Sequence, residues 1–453
     1  MANVGRKPRP EAARLLVFHL LTQVNRQGAY ANLRLPELLT ASALDERDRA
    51  FATELGYGTL RMQGKHDALI RRQIDRPFEE VDPGIVDILR MGIHQIKEMR
   101  VPNHAAVGET VEIARSTLGE SKATFVNAIL RRACEDSTFE EDLAKIPEIK
   151  ERLAVTYSHP EWEVSSFFDQ LQDWEEVGKL LAANNQPVKP HLIAWPGRST
   201  VEELLAEGGE LLAWSKNGVL SAQMPGAYQA IRERRAGVQD RGSQLVSQIF
   251  LNTATDGERN EGLSWLDMCA GPGGKASAIY TSLQETRKSD RFTANEPSEH
   301  RARLVSQVIP SDNVIVHSGQ ELPEFGLRFD RILIDAPCTG LGALRRRPEA
   351  RWRRTPQDLK ELVQIQKELL GAGVQLLQPD GILAYVTCSP HLLETKAQVL
   401  ELLHRHKELE LLDVRAYLPA EVPERVVTDD GALQLWTHRD DADSMFMALF
   451  HRK

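Results

Sequence analysis

Two cysteines follow two apolar, strand-like segments of the sequence. The segment "RILIDAPCTG" (331–340) places Asp335 and Cys338 after its apolar run, and "ILAYVTCSP" (382–390) places Cys388 after a second run. If both segments are strands of one parallel sheet, both thiols and the Asp335 carboxylate face the same crevice. A buried cysteine usually acts as a small hydrophobic residue, which is the alternative for each thiol taken alone. Two thiols at two strand ends favour chemistry.

A pair of thiols beside a carboxylate suits methylation of a cytosine ring. Carbon 5 of cytosine is too weak a nucleophile to attack a methyl sulfonium directly. A thiolate that adds to carbon 6 makes carbon 5 enamine-like, and an acid near ring nitrogen 3 assists the addition. A base then removes the carbon 5 proton, and the thiolate leaves. The residues alone do not decide whether Cys338 or Cys388 is the nucleophile.

A third apolar strand leads into the glycine-rich segment "LDMCAGPGGKASAI" (266–279). Gly271, Gly273 and Gly274 allow a tight turn and a close approach of the backbone to a ligand. Their spacing is neither that of a dinucleotide fingerprint nor that of a Walker loop. Glu296 ends the next strand, where a carboxylate can bind both ribose hydroxyls of an adenosine. The combination fits S-adenosylmethionine; a structural turn in another nucleotide-binding fold is the alternative.

These segments belong to an α/β region that begins near residue 240. The strands are expected at "LSWLDM", "RFTANE", "NVIVHS", "RILIDA" and "ILAYVT", with helical segments such as "LKELVQIQKELLGAGVQLL" between them. Alternation of this kind predicts a parallel sheet with helices on both faces. Residues 10 to about 140 show helical spacing of apolar residues and predict a bundle, followed by a linker at 135–150. Residues 151 to about 240 predict a small α+β unit, with helices at "WEEVGKLLAANN" and "TVEELLAEGGELL" and short strands at "HLIAW" and "GVLSAQM".

Composition limits the function classes. The chain has 453 residues, 42% hydrophobic and 27% charged, and a net charge of −9. It contains no apolar run near the roughly 20 residues of a membrane span, and its basic N-terminus does not resemble a signal peptide. Its four cysteines lack CxxC spacing, so we expect neither a metal site nor disulfides, and a reducing cytoplasm. The acidic balance argues against a surface coated in nucleic acid, although a local basic groove is compatible with it.

Such a groove is suggested by the stretch 345–354, in which six of ten residues are arginine. It follows Cys338 closely, so it could hold RNA phosphates while an aromatic ring stacks on a base. A solvated surface loop is the alternative. The expected RNA-binding residues are Arg345, Arg346, Arg347, Arg351, Trp352 and Arg353.

The motifs "DMCAGPGGK", "DAPCTG" and "YVTCS", in this order, resemble the RNA (cytosine-5)-methyltransferases of the NOL1/NOP2/Sun type. In the N-terminal region, "VPNHAAVGETVEIAR" and "FVNAILRRACE" are similar to a NusB-like domain. Together these resemblances span nearly the whole chain. They imply a NusB-like helical RNA-binding domain at 1–145, a small α+β linker subdomain at 146–236, and a Rossmann-like class I methyltransferase domain at 237–453.

The resemblance also implies roles for individual residues. It makes Cys388 the nucleophile, Cys338 the residue that assists product release, and Asp335 the acid that meets the cytosine ring beside the cofactor. Lys275 lies towards the target base, and Cys269 is a loop residue rather than a third reactive thiol. The implied S-adenosylmethionine site comprises Cys269, Ala270, Gly271, Pro272, Gly273, Gly274, Lys275, Glu296, Gln320 and Asp335.

Several positions depart from the family pattern. Glu296 and Gln320 stand where aspartate is usual, and after Cys388 only Glu394 loosely matches the usual Pro-Glu-Glu-Asn. The segment "HLIAW" stands where Arg-Val-Asn is usual, and Gly108 replaces a usual asparagine. The NusB-like domain implies, by analogy with the family's bacterial members, that the substrate is small-subunit (16S) ribosomal RNA and not DNA. We expect a monomer. The alternatives are the same chemistry on transfer RNA or another RNA, and a non-catalytic RNA-binding assembly factor.

Overall fold

The structure is a computed structural model that describes residues 11–253 and 262–453. It divides into two compact units. The helical unit comprises the described residues up to Gln186 together with Leu344–Arg353, and the sheet unit comprises Pro187–Ala343 and Arg354–Lys453. Within the described ranges, no helix is long and apolar enough to cross a membrane.

The helical unit contains the helices expected from the apolar spacing between residues 10 and 140, and it extends to Gln186. The helix expected at "WEEVGKLLAANN" therefore belongs to this unit and not to the α+β subdomain. Capping residues set several of its helix ends. The Asp45 and Asp82 side chains accept hydrogen bonds from the first turns of α3 and α5, and Gly28 ends α1 in the left-handed conformation. The helices are α1 (Ala12–Gln27), α2 (Ala31–Ala41), α3 (Glu46–Arg61), α4 (Gln63–Gln73), α5 (Pro83–Lys97), α6 (Asn103–Leu118), α7 (Glu120–Glu135), α8 (Phe139–Ala144), α9 (Ile149–Thr156), α10 (Glu161–Leu171) and α11 (Trp174–Asn184).

One local expectation in this unit is wrong. The stretch 135–150 was expected to be a linker, but it contains α8. Phe139 and Leu143 on this helix are buried and belong to the same apolar core as Leu20 and Ile88. The stretch therefore packs as part of the helical unit, because its two apolar residues lie one helical turn apart among acidic neighbours.

The sheet unit begins with a small α+β subdomain. Its four strands are β1 (His191–Ala194), β2 (Glu210–Leu211), β3 (Gly218–Leu220) and β4 (Ala236–Val238), arranged in the order β2-β3-β1-β4. The helices α12 (Val201–Ala206) and α13 (Gln229–Arg232) complete it. The strands expected at "HLIAW" and "GVLSAQM" are confirmed. The segment 200–212 is helical only to Ala206, after which it forms strand β2.

The larger sheet of this unit has a parallel centre. Its strands are β5 (Ser264–Asp267), β6 (Arg291–Asn295), β7 (Val314–Ile315), β8 (Phe329–Asp335), β9 (Leu377–Thr387), β10 (Leu409–Leu412), β11 (Leu433–Gln434) and β12 (Phe446–Arg452). The order is β10-β12-β9-β8-β5-β6-β7, with β11 paired to β12. The five strands that the sequence predicted, β5 to β9, pair in parallel. The parallel α/β sheet expected for this region is confirmed.

Helices cover both faces of the large sheet. Trp265 and Leu266, adjacent in β5, belong to two different apolar cores, one on each face. The helices are α14 (Arg241–Asn252), α15 (Gly274–Thr286), α16 (Glu299–Val305), α17 (Ala350–Arg353, in the helical unit), α18 (Pro356–Leu376), α19 (Lys396–Arg405) and α20 (Thr437–Asp440). The antiparallel edge, in which β12 pairs with both β9 and β10, does not follow from the alternation of strands and helices in the sequence.

Candidate active site

The carboxyl ends of the parallel strands bring the predicted chemical groups to one edge of the large sheet. The chain adds β6 and β7 on one side of β5, and β8 and β9 on the other. Open α/β sheets bind ligands in the crevice at such a switch point. Asp267 ends β5, Asp335 ends β8, and Cys388 directly follows β9.

The loop from Cys269 to Lys275 turns from β5 into α15. Gly273 has a φ of 111°, in the left-handed region that favours glycine. A Cβ at Gly271 would lie 2.2 Å from a carboxylate oxygen of Glu296, so this position also needs glycine. A Cβ at Gly274 would meet no atom within 4 Å. The start of α15 is therefore open to a ligand that approaches the backbone closely.

Glu296 holds the glycine loop against the end of β6. Its buried carboxylate accepts hydrogen bonds from the backbone N–H groups of Gly271 and Ser298, each at 3.0 Å. The Arg301 guanidinium lies 3.3 Å from the same carboxylate and also donates to the Gly271 carbonyl oxygen. A carboxylate has about four lone-pair positions, so these contacts leave it able to accept hydrogen bonds from ribose hydroxyls.

Asp267 is a site residue that the sequence analysis did not identify. Its side chain is 1% exposed and accepts a hydrogen bond from the Cys269 N–H at 3.3 Å. Burial, and then the negative charge of Asp335, raise the pKa of Asp267 to about 7. An acidic residue that ends an apolar strand just before a glycine loop was the signal available in the sequence.

The Cys269 thiol is buried beside this acid. Burial, followed by the negative charges of Asp267 and Asp335, raises the pKa of Cys269 well above its ordinary value. The thiol therefore keeps its proton near neutral pH. This supports the expectation that Cys269 is a loop residue and not a nucleophile.

Lys275 and Asp335 form an ion pair with Nζ 2.7 Å from Oδ2. Burial acts to lower the pKa of Lys275, but the Asp335 carboxylate and the other negative charges around it together raise the pKa, so the ammonium stays charged. Negative charge on Cys388 acts in the same direction. The Lys275 ammonium is thus close enough to Cys388 to stabilise a thiolate there.

The two predicted thiols are in contact. The Sγ atoms of Cys338 and Cys388 lie 3.3 Å apart, and neither forms a disulfide. The hydrogen bond with Cys388, followed by burial, raises the pKa of Cys338 well above its ordinary value. Cys338 therefore keeps its proton near neutral pH, whereas Cys388 lies within the electrostatic influence of the Lys275 ammonium.

Gln320 lies farther along the same edge. Its side-chain oxygen accepts a hydrogen bond from the Ser318 hydroxyl at 2.8 Å. Gln320 also lines a cavity of about 360 Å³. The other lining residues come from α18 and α19 and not from the glycine loop; they are Gln364, Lys367, Glu368, Gly371, Ala372, Gln375 and Arg405. The adenine contact expected of Gln320 stays a prediction.

Arg351, which the sequence analysis expected to bind RNA, is instead inside the helical unit. Its side chain is 0% exposed. The guanidinium donates to the backbone carbonyl oxygens of Arg61 (3.0 Å), Ser158 (3.2 Å) and Asn184 (2.9 Å), and to the Asn185 side chain (2.7 Å). A cation is favourable at these helix C-termini. The predicted RNA contact of Arg351 is therefore corrected, since no part of this side chain reaches the surface.

The neighbours of Arg351 are also tied to the helical unit. Arg353 donates to the Val24 carbonyl oxygen (2.8 Å) at the end of α1, and Glu349 accepts from the Ala31 N–H (3.2 Å) at the start of α2. A Cβ at Gly64 would lie 2.4 Å from the Trp352 ring, so that ring is packed. Arg345 is 6% exposed. Among the six expected RNA-binding residues, Arg347 is exposed and Arg346, Trp352 and Arg353 are half-buried.

Comparisons with known proteins show the family of this chain. Residues 254–451 match the family model described as 16S rRNA methyltransferase RsmB/F, and residues 11–135 match the NusB family. A Mycobacterium tuberculosis H37Rv protein, named as a methyltransferase, is 41% identical over 464 residues, covering 99% of this chain and 98% of that protein. Ribosomal RNA small subunit methyltransferase B of Pseudomonas putida is 30% identical over 396 residues, covering 83% and 85%.

The fold has a similarly extensive match. The crystal structure of PH0851 has a TM-score of 0.80 at 20% identity and covers 99% of this chain and 100% of that chain. The resemblance noted in the sequence motifs is therefore confirmed over both the helical and the sheet regions. The chain belongs to the RsmB/F family of 16S rRNA methyltransferases with a NusB domain, whose cofactor is S-adenosylmethionine.

Proposed function

We propose that this protein methylates carbon 5 of a cytosine in small-subunit ribosomal RNA through a covalent adduct between Cys388 and carbon 6. The observation that carries the proposal is the contact of two thiols, 3.3 Å apart, at the ends of adjacent strands. The Lys275–Asp335 ion pair lies at the same edge and supplies a cation and an acid. Cytosine-5 chemistry requires a cysteine nucleophile, an acid near ring nitrogen 3 and a base, whereas methylation of a more nucleophilic atom does not require a thiol.

In the proposed reaction, Cys388 adds as a thiolate to carbon 6 while a proton passes from the Lys275 ammonium, through the Asp335 carboxylate that it contacts, to ring nitrogen 3. The ring electrons then make carbon 5 nucleophilic. The cofactor, when bound, supplies an electrophilic methyl group on a sulfonium. A base then removes the carbon 5 proton, the carbon 5–carbon 6 double bond re-forms, and the Cys388 thiolate leaves.

The two thiols have unequal surroundings, which supports this division of roles. Cys388 lies near the Lys275 ammonium, which favours the thiolate needed for attack. Cys338 keeps its proton, since its pKa is raised by the hydrogen bond to Cys388 and by burial. A neutral thiol beside the departing sulfur is suited to proton exchange during product release.

The cofactor would be held by residues 269–275, with Glu296 on the ribose and Asp335 nearby. The open space beside Gly274 and the unused lone pairs of Glu296 fit an adenosine that lies against the loop. Asp267, buried behind the loop, adds an acid whose pKa of about 7 places its charge change near neutral pH. Gln320 is the further candidate for the adenine edge.

The substrate class follows from the family and its two domains. The P. putida relative is named for ribosomal RNA of the small subunit. A base within helical RNA would have to be flipped out or presented in an opened loop. Arg347, which is exposed, is the member of the arginine cluster best placed to meet a phosphate.

A covalent trap tests the proposal. The protein is incubated with S-adenosylmethionine and small-subunit RNA that contains 5-fluorocytidine, in which fluorine blocks the final loss of the carbon 5 proton. A denaturant-resistant protein–RNA complex is expected for the wild type and for Cys338→Ala, and not for Cys388→Ala. Cys134→Ala, in the helical unit, is the matched cysteine control.

The other outcomes are equally informative. Loss of the complex only with Cys338→Ala would reverse the roles of the two thiols. If the wild type binds the RNA but forms no complex and transfers no methyl group, the protein is an RNA-binding assembly factor and the proposed reaction is wrong. A complex formed with transfer RNA and not with ribosomal RNA would change the substrate but keep the chemistry.

A further inference from the structure

A buried hydrogen-bond network joins the residues that follow the two reactive cysteines. Thr339 follows Cys338, Ser389 follows Cys388, and their hydroxyl oxygens lie 3.1 Å apart. Both side chains are almost fully buried. The contact therefore links the two thiol-bearing segments on the side away from solvent.

Glu394 is the centre of this network. Its carboxylate is 0% exposed and accepts hydrogen bonds from the Thr339 N–H (2.8 Å), the Thr339 hydroxyl and the Gln366 side-chain amide (3.0 Å). Three donors on one buried carboxylate make strong charge-assisted hydrogen bonds and offset part of the cost of burial.

Two further side chains close the network behind the loop of Cys338. The Gln366 amide also donates to the Pro337 carbonyl oxygen at 2.9 Å, immediately before Cys338. The Tyr385 hydroxyl, from β9, donates to the Glu394 carbonyl oxygen at 2.8 Å. The residues on both sides of Cys338 are thus held by groups that connect to Glu394.

The position of Glu394 in the sequence explains how it reaches this loop. It lies six residues after Cys388, at the end of a short 3-10 turn, Leu392–Glu394, which returns the chain towards the sheet. The sequence analysis treated it only as a loose match to a family pattern. Its partners lie 28 and 55 residues away along the chain, so no local pattern indicates them.

We propose that Glu394 is a positioning residue that holds the Cys338 loop against the Cys388 segment and keeps the two thiols in contact. The effect of Glu394 on catalysis rests on the proposed cytosine-5 reaction, but its effect on the distance between the two sulfur atoms does not. Loss of the carboxylate leaves the buried Thr339 N–H without its acceptor, and it removes one acceptor each from the Thr339 hydroxyl and the Gln366 amide. The loop should then relax, and the distance between the two sulfur atoms should increase.

The separation of the thiols can be measured without RNA or cofactor. Phenylarsine oxide condenses with two thiols to form two arsenic–sulfur bonds and one water, so tight binding requires two adjacent sulfurs. The full-length wild type should bind one equivalent at this site. Cys338→Ala or Cys388→Ala should abolish that binding, whereas Cys134→Ala should not change it.

Glu394→Ala should weaken phenylarsine oxide binding by at least about tenfold, because the second thiol loses its high effective concentration. Glu394→Gln keeps one acceptor oxygen and should lose less of its affinity for phenylarsine oxide than Glu394→Ala. Thr339→Val removes one hydroxyl at nearly constant volume and should give an intermediate loss, even if Glu394→Ala does not fold. Glu163→Gln, at an acidic side chain buried in the helical unit, is the control for replacing a buried acid with an amide.

Kinetics give the second measurement. With methyl transfer as the assay, Glu394→Gln should lower kcat by roughly tenfold or more while KM for RNA and for S-adenosylmethionine stays within about twofold. Unchanged arsenical binding in folded Glu394→Gln and Thr339→Val would overturn the positioning role. If the wild type binds the arsenical but makes no 5-methylcytosine, the proposed reaction fails while the positioning result still stands or falls by the arsenical titration.

Discussion

Residues 335–343 and residues 344–353 are consecutive in the chain and rich in reactive or charged side chains, yet the structure uses them differently. The first stretch stays in the sheet unit, where Asp335 pairs with Lys275 and Cys338 contacts Cys388. The second belongs to the helical unit, where Arg351 binds carbonyl oxygens at helix ends. One stretch forms the candidate site, and the other stabilises a bundle.

The difference lies in the partners of the charged groups and in their exposure. The Asp335 side chain is 29% exposed and its known partner is a single ammonium, so it can still meet a substrate. Arg351 is 0% exposed and its guanidinium donates to four oxygens. A cluster of arginines near a reactive cysteine therefore does not by itself indicate an RNA-binding loop.

The largest expected effect is that of Cys388→Ala, which should lower the rate of methyl transfer and leave stability nearly unchanged. Cys388→Ala should lower the rate of methyl transfer by at least about 10⁴-fold, because the proposed covalent step is lost. The thermal midpoints of both units should change little, since the cysteine side chain is only one sulfur atom larger than that of alanine. Parallel assays of tritium transfer and thermal unfolding test this, with Cys134→Ala as control. Residual activity within tenfold of the wild type would contradict the nucleophile assignment.

A second prediction concerns Arg351 and the stability of the helical unit. Arg351→Met keeps most of the side-chain volume but leaves buried carbonyl oxygens without a donor, and should destabilise the helical unit by about 3–5 kcal/mol. Hydrogen exchange should report faster opening of α3 and α11, whose last carbonyl groups Arg351 binds. Arg347→Met, at an exposed position, should change stability by less than about 0.5 kcal/mol. Equal stability of the two variants would show that Arg351 is not a structural anchor.

The sequence predicted the structural features that depend on a local pattern of residues. The apolar runs and the residues that end them indicated β5 to β9, the glycine loop, and the thiols of Cys338 and Cys388. The sequence did not predict contacts between residues that lie far apart along the chain. Arg351 binds carbonyl groups 290 and 167 residues away along the chain. The antiparallel strand β12 is likewise defined by a partner, β9, that lies far from it along the chain.

A third prediction compares the pH dependence of the two units. The pKa of Asp267 is raised from 3.8 to about 7 in the folded chain, chiefly by burial. Between about pH 4 and 7 the folded state therefore holds a proton that the unfolded state has lost, so the stability of the sheet unit falls as pH rises through this window and then levels off.

Asp267→Asn removes this titration and can still accept the Cys269 N–H. The variant should therefore gain stability relative to the wild type at pH 8 and little at pH 4. Each kcal/mol gained should raise the thermal midpoint by about 2–4 °C in a unit of this size. Glu163→Gln, at a buried acid of the helical unit, should leave the sheet-unit transition unchanged. A difference between Asp267→Asn and wild type that is the same at pH 4 and pH 8 would contradict the raised pKa.

The smallest expected effect is on RNA binding by residues 344–353. Arg347 is exposed, and its guanidinium lies 6.0 Å from the centre of the Tyr30 ring, which is 51% exposed. Loss of one phosphate contact should reduce the slope of log affinity against log salt by about 0.7–0.9, so Arg347→Ala should weaken RNA binding a few-fold at low salt and less at high salt. Arg303→Ala, at an exposed arginine of the sheet unit, is the matched control. An unchanged salt slope in Arg347→Ala would mean that this stretch serves the helical unit alone, and the RNA contacts of the protein would then have to be sought outside the arginine cluster.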